Sequence, residues 1–235
     1  MKSSYWYYLF FADLLAELAA VAAGWSSVQV FTKPLLLAVL FAGFTVSSTS
    51  FSPLRYAIAA ALFFSWLGDI FLMQEDRNAA WFMAGLGSFL LAHILYTVFF
   101  VRVRRMQAAA VRWNMTAIAL IGLYAVLLVG FLYPYTGGLR WPVAVYALAI
   151  AVMLAAAMHA FSHAHYNARM YCIAGAALFM CSDSLLAINK FYHGFPAAGV
   201  WVMATYGLAQ FAIVKGCLLY LAAEKQLVKG PAQKG

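Results

Sequence analysis

Two aspartates stand within stretches of apolar sequence, Asp69 in the run 62–72 and Asp183 in the run 178–186. A carboxylate at bilayer depth costs ~2.5 to 3.5 kcal/mol on insertion scales, so a chain that keeps one there generally uses it or hides it. Paired carboxyl groups in different surroundings can divide the roles of proton donor and proton acceptor. The two aspartates are therefore the leading candidates for chemistry in this sequence.

The composition indicates that these aspartates lie in a membrane. Of the 235 residues, 66% are hydrophobic and only 9% are charged, and the mean hydropathy is +0.86. Such a chain has too little polar surface to coat a soluble globule. The stretches long and apolar enough to cross about 30 Å of hydrocarbon are 5–23, 33–49, 54–74, 80–101, 113–133, 141–160, 168–189 and 198–221.

These eight stretches, numbered here as segments 1 to 8, predict an all-α, polytopic membrane helix bundle with eight transmembrane helices. We expect one transmembrane domain over residues 1–224 and a short basic tail over 225–235. Ten lysines and arginines fall on the side of the termini and four on the opposite side, which predicts cytoplasmic N and C termini. The net charge of +8 thus fits an integral protein of a bacterial inner membrane and requires no nucleic-acid partner.

Prolines and acidic residues refine the predicted boundaries. Pro34, Pro53 and Pro142 each fall in the first turn of a predicted segment, where a missing backbone N–H costs little. In segment 1, Asp13 and Glu17 interrupt the apolar core that a cleaved signal peptide needs. We therefore predict that segment 1 is a retained helix.

The direction of the helices predicts that the two aspartates share a depth. Segments 3 and 7 both run outward from the cytoplasmic face, and each aspartate lies past the midpoint of its segment. Segments 4 and 8 run the other way and bring more polar side chains into the same outer layer. These side chains are His93, Tyr96, Tyr206 and Gln210.

Three further polar residues are expected close to this layer. Lys33 opens segment 2. Lys190 follows Asp183 by seven residues, which is two turns along the same helical face. Ser65 precedes Asp69 by four residues and faces the same way.

A purely structural role for these residues is the alternative. Either aspartate could form an ion pair with Lys33 or Lys190 that sets the helix register, and His93 could be a satisfied polar residue of the bundle. Taken singly, Tyr206 and Gln210 would be interhelical hydrogen-bonding residues worth ~0.6 kcal/mol each.

A histidine cluster closes segment 6. His159 and His163 are four residues apart and could hold a metal together, but a site needs a third ligand, and His165 points elsewhere if the helix continues. We therefore predict no metal site, and interpret the cluster as a wet helix end near the lipid headgroups.

The motifs together resemble the YhhN family, the lysoplasmalogenase-like membrane proteins. The resemblance rests on their order and spacing across segments 2 to 8: Lys33-Pro34, Ser65-x-x-Gly68-Asp69, Gly85 with His93-x-x-Tyr96, Gly175 with Ser182-Asp183, and Tyr206-x-x-x-Gln210. It implies an enzyme that cleaves the vinyl ether of a lysoplasmalogen, a lysophospholipid. The products would be a fatty aldehyde and glycerophosphoethanolamine or glycerophosphocholine, and no metal or organic cofactor is implied.

The implied reaction suits two carboxyl groups. Protonation of the β-carbon of a vinyl ether creates an oxocarbenium ion, water captures it, and the hemiacetal collapses to aldehyde and alcohol. One carboxyl group would deliver the proton while the other stabilises the cation and activates water, as in glycosidases. Our hypothesis is that Lys190 keeps Asp183 ionised, which leaves Asp69 as the acid.

The other polar residues receive supporting roles in this hypothesis. His93 would orient water or a carboxyl group, and Lys33 would meet the substrate phosphate near the interface. Tyr206 and Gln210 would bind the glycerol hydroxyl or the ether oxygen. The supporting set also contains Ser65, Tyr96 and Lys190.

Two other classes of protein stay open as alternatives. A lipid or small-molecule transporter or sensor is suggested by the basic residue that precedes a proline at the start of segments 2 and 6, which hints at a four-plus-four parallel repeat. The lack of acidic residues in the predicted inner half argues against a carrier. A zinc-dependent lipid amidohydrolase would need three converging histidines, and His93 lies at a different depth from the cytoplasmic cluster.

Overall fold

The computed structural model describes residues 5–48, 52–107 and 112–229, with the side chains of residues 163 and 226–229 left aside. Helices dominate this part of the chain, and no strand occurs in it. Its long helices are α1 (Tyr5–Ala22), α2 (Ser26–Ser47), α3 (Pro53–Leu72), α4 (Ala79–Met106), α5 (Met115–Leu132), α6 (Arg140–Ala160), α7 (Tyr166–Ala187) and α8 (Ala198–Lys229). All eight of these described helices are long and apolar enough to cross a membrane. The predicted all-α bundle with eight crossings is confirmed.

The helix starts follow local sequence signals at α3 and α6. Pro53 is the first residue of α3, and the Ser52 side chain accepts a hydrogen bond from the Leu54 N–H at 3.2 Å. Pro142 is the third residue of α6. A proline in the first turn removes an N–H that has no intrahelical acceptor, so both helices begin without losing a hydrogen bond.

Helix α2 corrects the predicted start of segment 2. It begins at Ser26 and carries Pro34 in its interior, so the prediction that Pro34 lies in the first turn is wrong. The Pro34 carbonyl accepts a hydrogen bond from Trp66 Nε1 at 3.0 Å. Lys33 consequently lies seven residues into the helix, about 10 Å from its start.

Two helix pairs pack against each other most extensively, α3 with α4 and α7 with α8. Between α7 and α8 the backbones meet closely: a Cβ on Gly175 would lie 2.8 Å from the Ala209 carbonyl oxygen, and one on Gly216 would lie 2.8 Å from the Ala168 carbonyl oxygen. Small residues of this kind allow membrane helices to approach and gain van der Waals contact. Substituting either glycine would push the two helices apart.

The exterior of the bundle is apolar, as a membrane protein requires. Large exposed side chains include Leu15, Phe31, Leu127 and Trp141. Helix α5 is the most peripheral and packs against α6 and the segment 188–192. The protein is an integral membrane protein.

Both ends of the chain bear on the predicted boundaries. Helix α8 continues to Lys229, past the predicted start of the basic tail at residue 225. Residues 1–4 and 230–235, which include Lys2 and Lys234, lie outside the described residues. The cytoplasmic orientation of the termini stays a prediction.

The end of the bundle opposite both termini is called the far face here. It comprises the connections 23–25, 73–78, 133–139 and 188–197. The rings of Tyr192 and Phe131 pack edge to face there, with their centroids 4.8 Å apart. A π-helix, Ile188–Tyr192, extends α7 into this face. Asp69 and Asp183 lie three and four residues before the last residues of α3 and α7, Leu72 and Ala187, so both belong to the far half of the bundle.

Candidate functional site

Asp183 is held by one tyrosine and faces one histidine. The Tyr146 hydroxyl on α6 donates a hydrogen bond of 2.6 Å to Asp183 Oδ2. His93 Nε2 on α4 lies 3.7 Å from the same oxygen, which is too long for a hydrogen bond but close enough for electrostatic interaction. The three side chains form one polar cluster, here called the Asp183 cluster.

Tyr146 is a site residue that sequence reasoning missed. Segment 6 drew attention through its histidines, whereas Tyr146 lies six residues after the first residue of α6, at the far end. Tyrosines are common near membrane interfaces, so residue type and depth alone do not single this one out. The available signal was its depth, which matches that of Asp183 because α6 runs opposite to α7.

Asp69 is hydrogen-bonded to Tyr206, a residue that the sequence predicted to lie in the same layer. The Tyr206 hydroxyl on α8 donates a hydrogen bond of 2.7 Å to Asp69 Oδ2. Gln210 Nε2 lies 3.4 Å from the Tyr206 oxygen, and Gln210 Oε1 accepts a bond of 2.7 Å from the Tyr96 hydroxyl. These four side chains, the Asp69 cluster, form a continuous hydrogen-bonded chain across α3, α8 and α4, and all four are buried.

The two clusters are related by a repeated spacing. Tyr96 lies 27 residues after Asp69, and Gln210 lies 27 residues after Asp183; these two residues are hydrogen-bonded to each other. Each aspartate is also approached by the other half of the chain, Asp69 by α8 and Asp183 by α4. The crossed arrangement fits the hinted four-plus-four repeat and explains why the two acids share a depth.

Aromatic rings fill the space between the clusters. The Phe179 ring centroid lies 4.6 Å from that of His93 and 5.5 Å from that of Tyr206. The Phe89 ring packs edge-on against Tyr206 at 5.8 Å and sits where a side chain on Gly68 would be, 2.6 Å from an added Cβ. Gly68 thus makes room for Phe89 beside Asp69.

A cleft with about 450 Å³ of empty space, part of it open to the surroundings, lies beside Asp183; it is called the first cavity here. Its walls come from the far ends of α3, α4, α6 and α7, and its lining includes Asp183, Tyr146, Lys190 and Phe89. The Asp183 side chain is 15% exposed, whereas Asp69 is 2% exposed and lies behind Phe89. A ligand in this cavity can therefore reach Asp183 directly, whereas Asp69 is not among the lining residues.

Lys190 does not pair with Asp183. Its Nζ lies 3.0 Å from Glu75 Oε2 and 5.2 Å from the centroid of the Phe82 ring. The π-helix carries Lys190 out of the 3.6-residue period, so the seven-residue spacing does not stack it on Asp183. The hypothesis that Lys190 holds Asp183 ionised is therefore wrong, although both residues line the same cavity.

Lys33 lies deeper in its helix than expected, and Ser65 lies on the buried side of α3 together with Asp69. Lys33 is half-buried within the span, not at the interface, and lies within electrostatic range of both Asp69 and Glu17. Glu17 is buried and accepts a hydrogen bond from Thr32. Ser65 is buried, but its Oγ has no hydrogen-bond partner among the described residues.

His93 is buried, and neither of its ring nitrogens has a hydrogen-bond partner among the described residues. Polar groups buried in this way are uncommon in folded proteins and are generally paired. The alternative of a satisfied polar residue therefore does not describe His93. Its nearest charged group is the Asp183 carboxyl group.

His159 has a structural environment. Its Nε2 accepts a hydrogen bond of 2.9 Å from the Asn114 N–H, and its Nδ1 lies 2.7 Å from the Ala155 carbonyl oxygen. These contacts occupy both ring nitrogens, and the side chain is buried, so the interpretation as a wet helix end is wrong for this residue. No group of three potential metal ligands occurs in the described parts of the chain. The His163 side chain lies outside the described residues.

Fold and site together define a polytopic membrane protein with two buried acids, one of them open to a largely apolar cavity. The chain belongs to the YhhN family, whose profile matches residues 28–217. It is 33% identical over 165 residues to the human protein named Lysoplasmalogenase TMEM86A, a match covering 68% of this chain and 65% of the human protein. It is 31% identical over 182 residues to the Mycobacterium bovis protein named Lysoplasmalogenase, covering 77% of this chain and 67% of that protein. No solved structure shows significant similarity to the chain.

Proposed function

We propose that the protein is a lysoplasmalogenase, which hydrolyses the vinyl ether of a lysophospholipid to a fatty aldehyde and a glycerophospho-headgroup. Family membership and the names of the human and mycobacterial relatives support this proposal. The chain spans about 65% of the length of the human relative, so the activity is inferred for this chain and not transferred outright. No cofactor is part of the proposal.

The observation that carries the proposal is the carboxyl group of Asp183 at the wall of a membrane-embedded cavity. Tyr146 donates a hydrogen bond to it, and His93 lies 3.7 Å away. The cavity lining is otherwise mostly apolar. A general acid must come within hydrogen-bond reach of the atom that it protonates. Asp183 meets this condition for a lipid in the cavity, whereas Asp69 does not touch the cavity.

In the proposed reaction, Asp183 donates its proton to the β-carbon of the vinyl ether. The π electrons form the new C–H bond, and the ether oxygen shares the positive charge on the α-carbon. Water adds to that carbon and returns a proton to the Asp183 carboxylate. The hemiacetal then transfers its hydroxyl proton to the glycerol oxygen as the C–O bond breaks, releasing the aldehyde.

Asp69 supplies the second carboxyl group in this scheme. It lies within electrostatic range of Asp183, so a negative charge on Asp69 favours the oxocarbenium ion over the neutral vinyl ether. The hydrogen-bonded chain through Tyr206 and Gln210 holds Asp69 in place. This assignment reverses our sequence-based hypothesis, in which Asp69 was the acid.

The substrate headgroup is assigned to the far end of the cavity. Lys190 lines this end, and its side chain is 36% exposed. A phosphate group there would compete with Glu75 for the lysine ammonium group. With cytoplasmic termini, this end would face away from the cytoplasm across a bacterial inner membrane.

Capture of aldehyde from purified protein tests the proposed function. We expect the unmodified protein to release a hydrazine-trappable aldehyde from lysoplasmenylethanolamine or lysoplasmenylcholine. The matched saturated alkyl ether should yield none, because it has no β-carbon that can be protonated. Failure to release aldehyde from any lysoplasmalogen would contradict the proposal and favour a carrier or sensor.

Replacing Tyr146 with phenylalanine is expected to slow aldehyde release about ten- to a hundredfold, because a hydrogen bond to a charged or titrating group is worth roughly 1.5 to 3 kcal/mol. Steady-state rates of Tyr146→Phe should be compared with those of Tyr171→Phe, an exposed tyrosine on α7. The control should keep the native rate. Equal rates for Tyr146→Phe and the native protein would exclude the tyrosine from the positioning of Asp183.

A further inference from the structure

A second cavity meets the first at Asp183. It holds about 420 Å³ of empty space, part of it open to the surroundings, and lies between α5, α6 and α7. Four residues line both cavities: Val143, Tyr146, Asp183 and Ala187. Asp183 therefore borders both spaces, so a ligand that lies across it would have its two ends in different cavities.

The two cavities differ in chemistry. The first contains the charged Lys190 near the far face. The second is apolar apart from the shared Asp183 and Tyr146 and the hydroxyl of Ser184. That hydroxyl donates to the Met180 carbonyl oxygen at 2.7 Å, so it is already satisfied. The second cavity thus suits hydrocarbon, while the first suits a ligand that carries a charged group.

The second cavity also extends deeper into the bundle than Asp183. Its wall on α5 runs from Leu132 to Ala125, about 10 Å of helix. On α7 and α6 this cavity reaches Met180 and Ile150. Each of them lies about one helical turn deeper than the residue of the Asp183 cluster on the same helix. From the far face inward, the order is therefore Lys190, Asp183 and then the apolar end.

This order matches the order of groups in a lysophospholipid that lies in a leaflet. Its charged headgroup is at the surface, its ether linkage lies below, and its aliphatic chain points to the membrane centre. We propose that the cavity between α5, α6 and α7 binds the aliphatic chain of the substrate and so selects for chain length. The proposal rests on the proposed function, since it places the vinyl ether at Asp183.

Helix α5 offers the aliphatic chain of the substrate a route into the second cavity from the surrounding lipid. Much of its surface is exposed, including Leu127 and Leu123. A side-chain contact joins it to α7, the hydrogen bond of 2.9 Å from the Tyr124 hydroxyl to Ser184 Oγ. An aliphatic chain could enter between these helices without crossing the polar headgroup layer.

The test fills the deep end of the cavity and measures the dependence on chain length. Ala125→Phe adds a ring at that end. Its matched control is Ala38→Phe, in an apolar cavity of about 490 Å³ between α2 and α3 that neither aspartate lines. The substrates are lysoplasmenylethanolamines with a short and a long alkenyl chain.

We expect Ala125→Phe to reduce kcat/KM for the long chain by about tenfold, the equivalent of about two methylene groups left unburied. The short chain should be affected less than about twofold, which is below the effect of one unburied methylene group. Ala38→Phe should leave the ratio between the two substrates unchanged. Equal losses for both chains in Ala125→Phe, or an unchanged preference, would overturn the proposal.

A binding measurement separates this proposal from the proposed function. A saturated ether lysophosphoethanolamine with a diazirine at the end of its chain cannot be hydrolysed but can be crosslinked. In the unmodified protein we expect light-induced labelling at the deep end of the cavity, at Ala125, Ile150 and Met180. Labelling confined to α2 and α3 would overturn the chain site even if aldehyde release is normal. Labelling of the expected residues in a protein that releases no aldehyde would support the chain site and contradict the hydrolase proposal.

Discussion

Asp183→Asn should reduce aldehyde release by at least about a hundredfold, because proton transfer by a positioned side chain contributes roughly 10² to 10⁴ in rate. The amide is nearly the same shape, so Tyr146 can still donate its hydrogen bond to the amide oxygen. We therefore expect normal folding and a nearly normal KM with a much lower kcat. The measurement is the steady-state rate of purified protein with trapped aldehyde as the product.

The matched control for this variant is Asp76→Asn. Asp76 is exposed in the connection between α3 and α4 on the same face of the bundle. Removing its charge tests whether any acidic group near the far face affects the rate through long-range electrostatics. The control should keep the native rate. If Asp183→Asn also keeps it, Asp183 has no part in the mechanism.

Asp69→Asn is the prediction with the second largest effect. The carboxyl group is buried behind Phe89 and does not contact the cavity, so the variant should bind substrate normally. Removing one electrostatic stabiliser of a transition state commonly costs about 10² to 10³ in kcat. We expect a loss in this range with an unchanged KM, whereas loss of a headgroup contact would mainly raise KM.

A double-variant cycle makes the prediction for Asp69 sharper. Tyr206→Phe removes the hydroxyl that donates to Asp69. If Tyr206 acts through Asp69, the loss in Asp69→Asn with Tyr206→Phe should be much smaller than the product of the two single losses. Fully multiplicative losses would show that the two residues act independently and would contradict the proposed positioning role of Tyr206.

The shared layer of the polar residues in the Asp69 cluster could be predicted because the depth of a residue follows from its position along its helix. A helix converts position along the chain into height at about 1.5 Å per residue. Asp69, Tyr206 and Gln210 could therefore be assigned to one layer once the spans were known. Their spacing of four residues on α8 also put Tyr206 and Gln210 on one face, and the hydrogen-bonded chain contains both.

The positions of Lys190 and Lys33 were predicted wrongly because they depend on local backbone geometry. Lys190 left its expected face because the backbone after α7 adopts a π-helix. Lys33 moved inward because α2 begins two turns before Pro34 and continues through it. Neither change alters the apolar pattern from which the spans were predicted, so neither could be read from that pattern.

The sequence by itself determined the class of protein, the eight spans and the presence of two acids at one depth. The physical reason is that the cost of burying charge and backbone polar groups in hydrocarbon acts on every residue of a span. Which helices face each other depends instead on packing between distant parts of the chain. That packing decided that Asp69 pairs with Tyr206 and Asp183 with Tyr146. It also decided that only one of these acids opens onto a cavity.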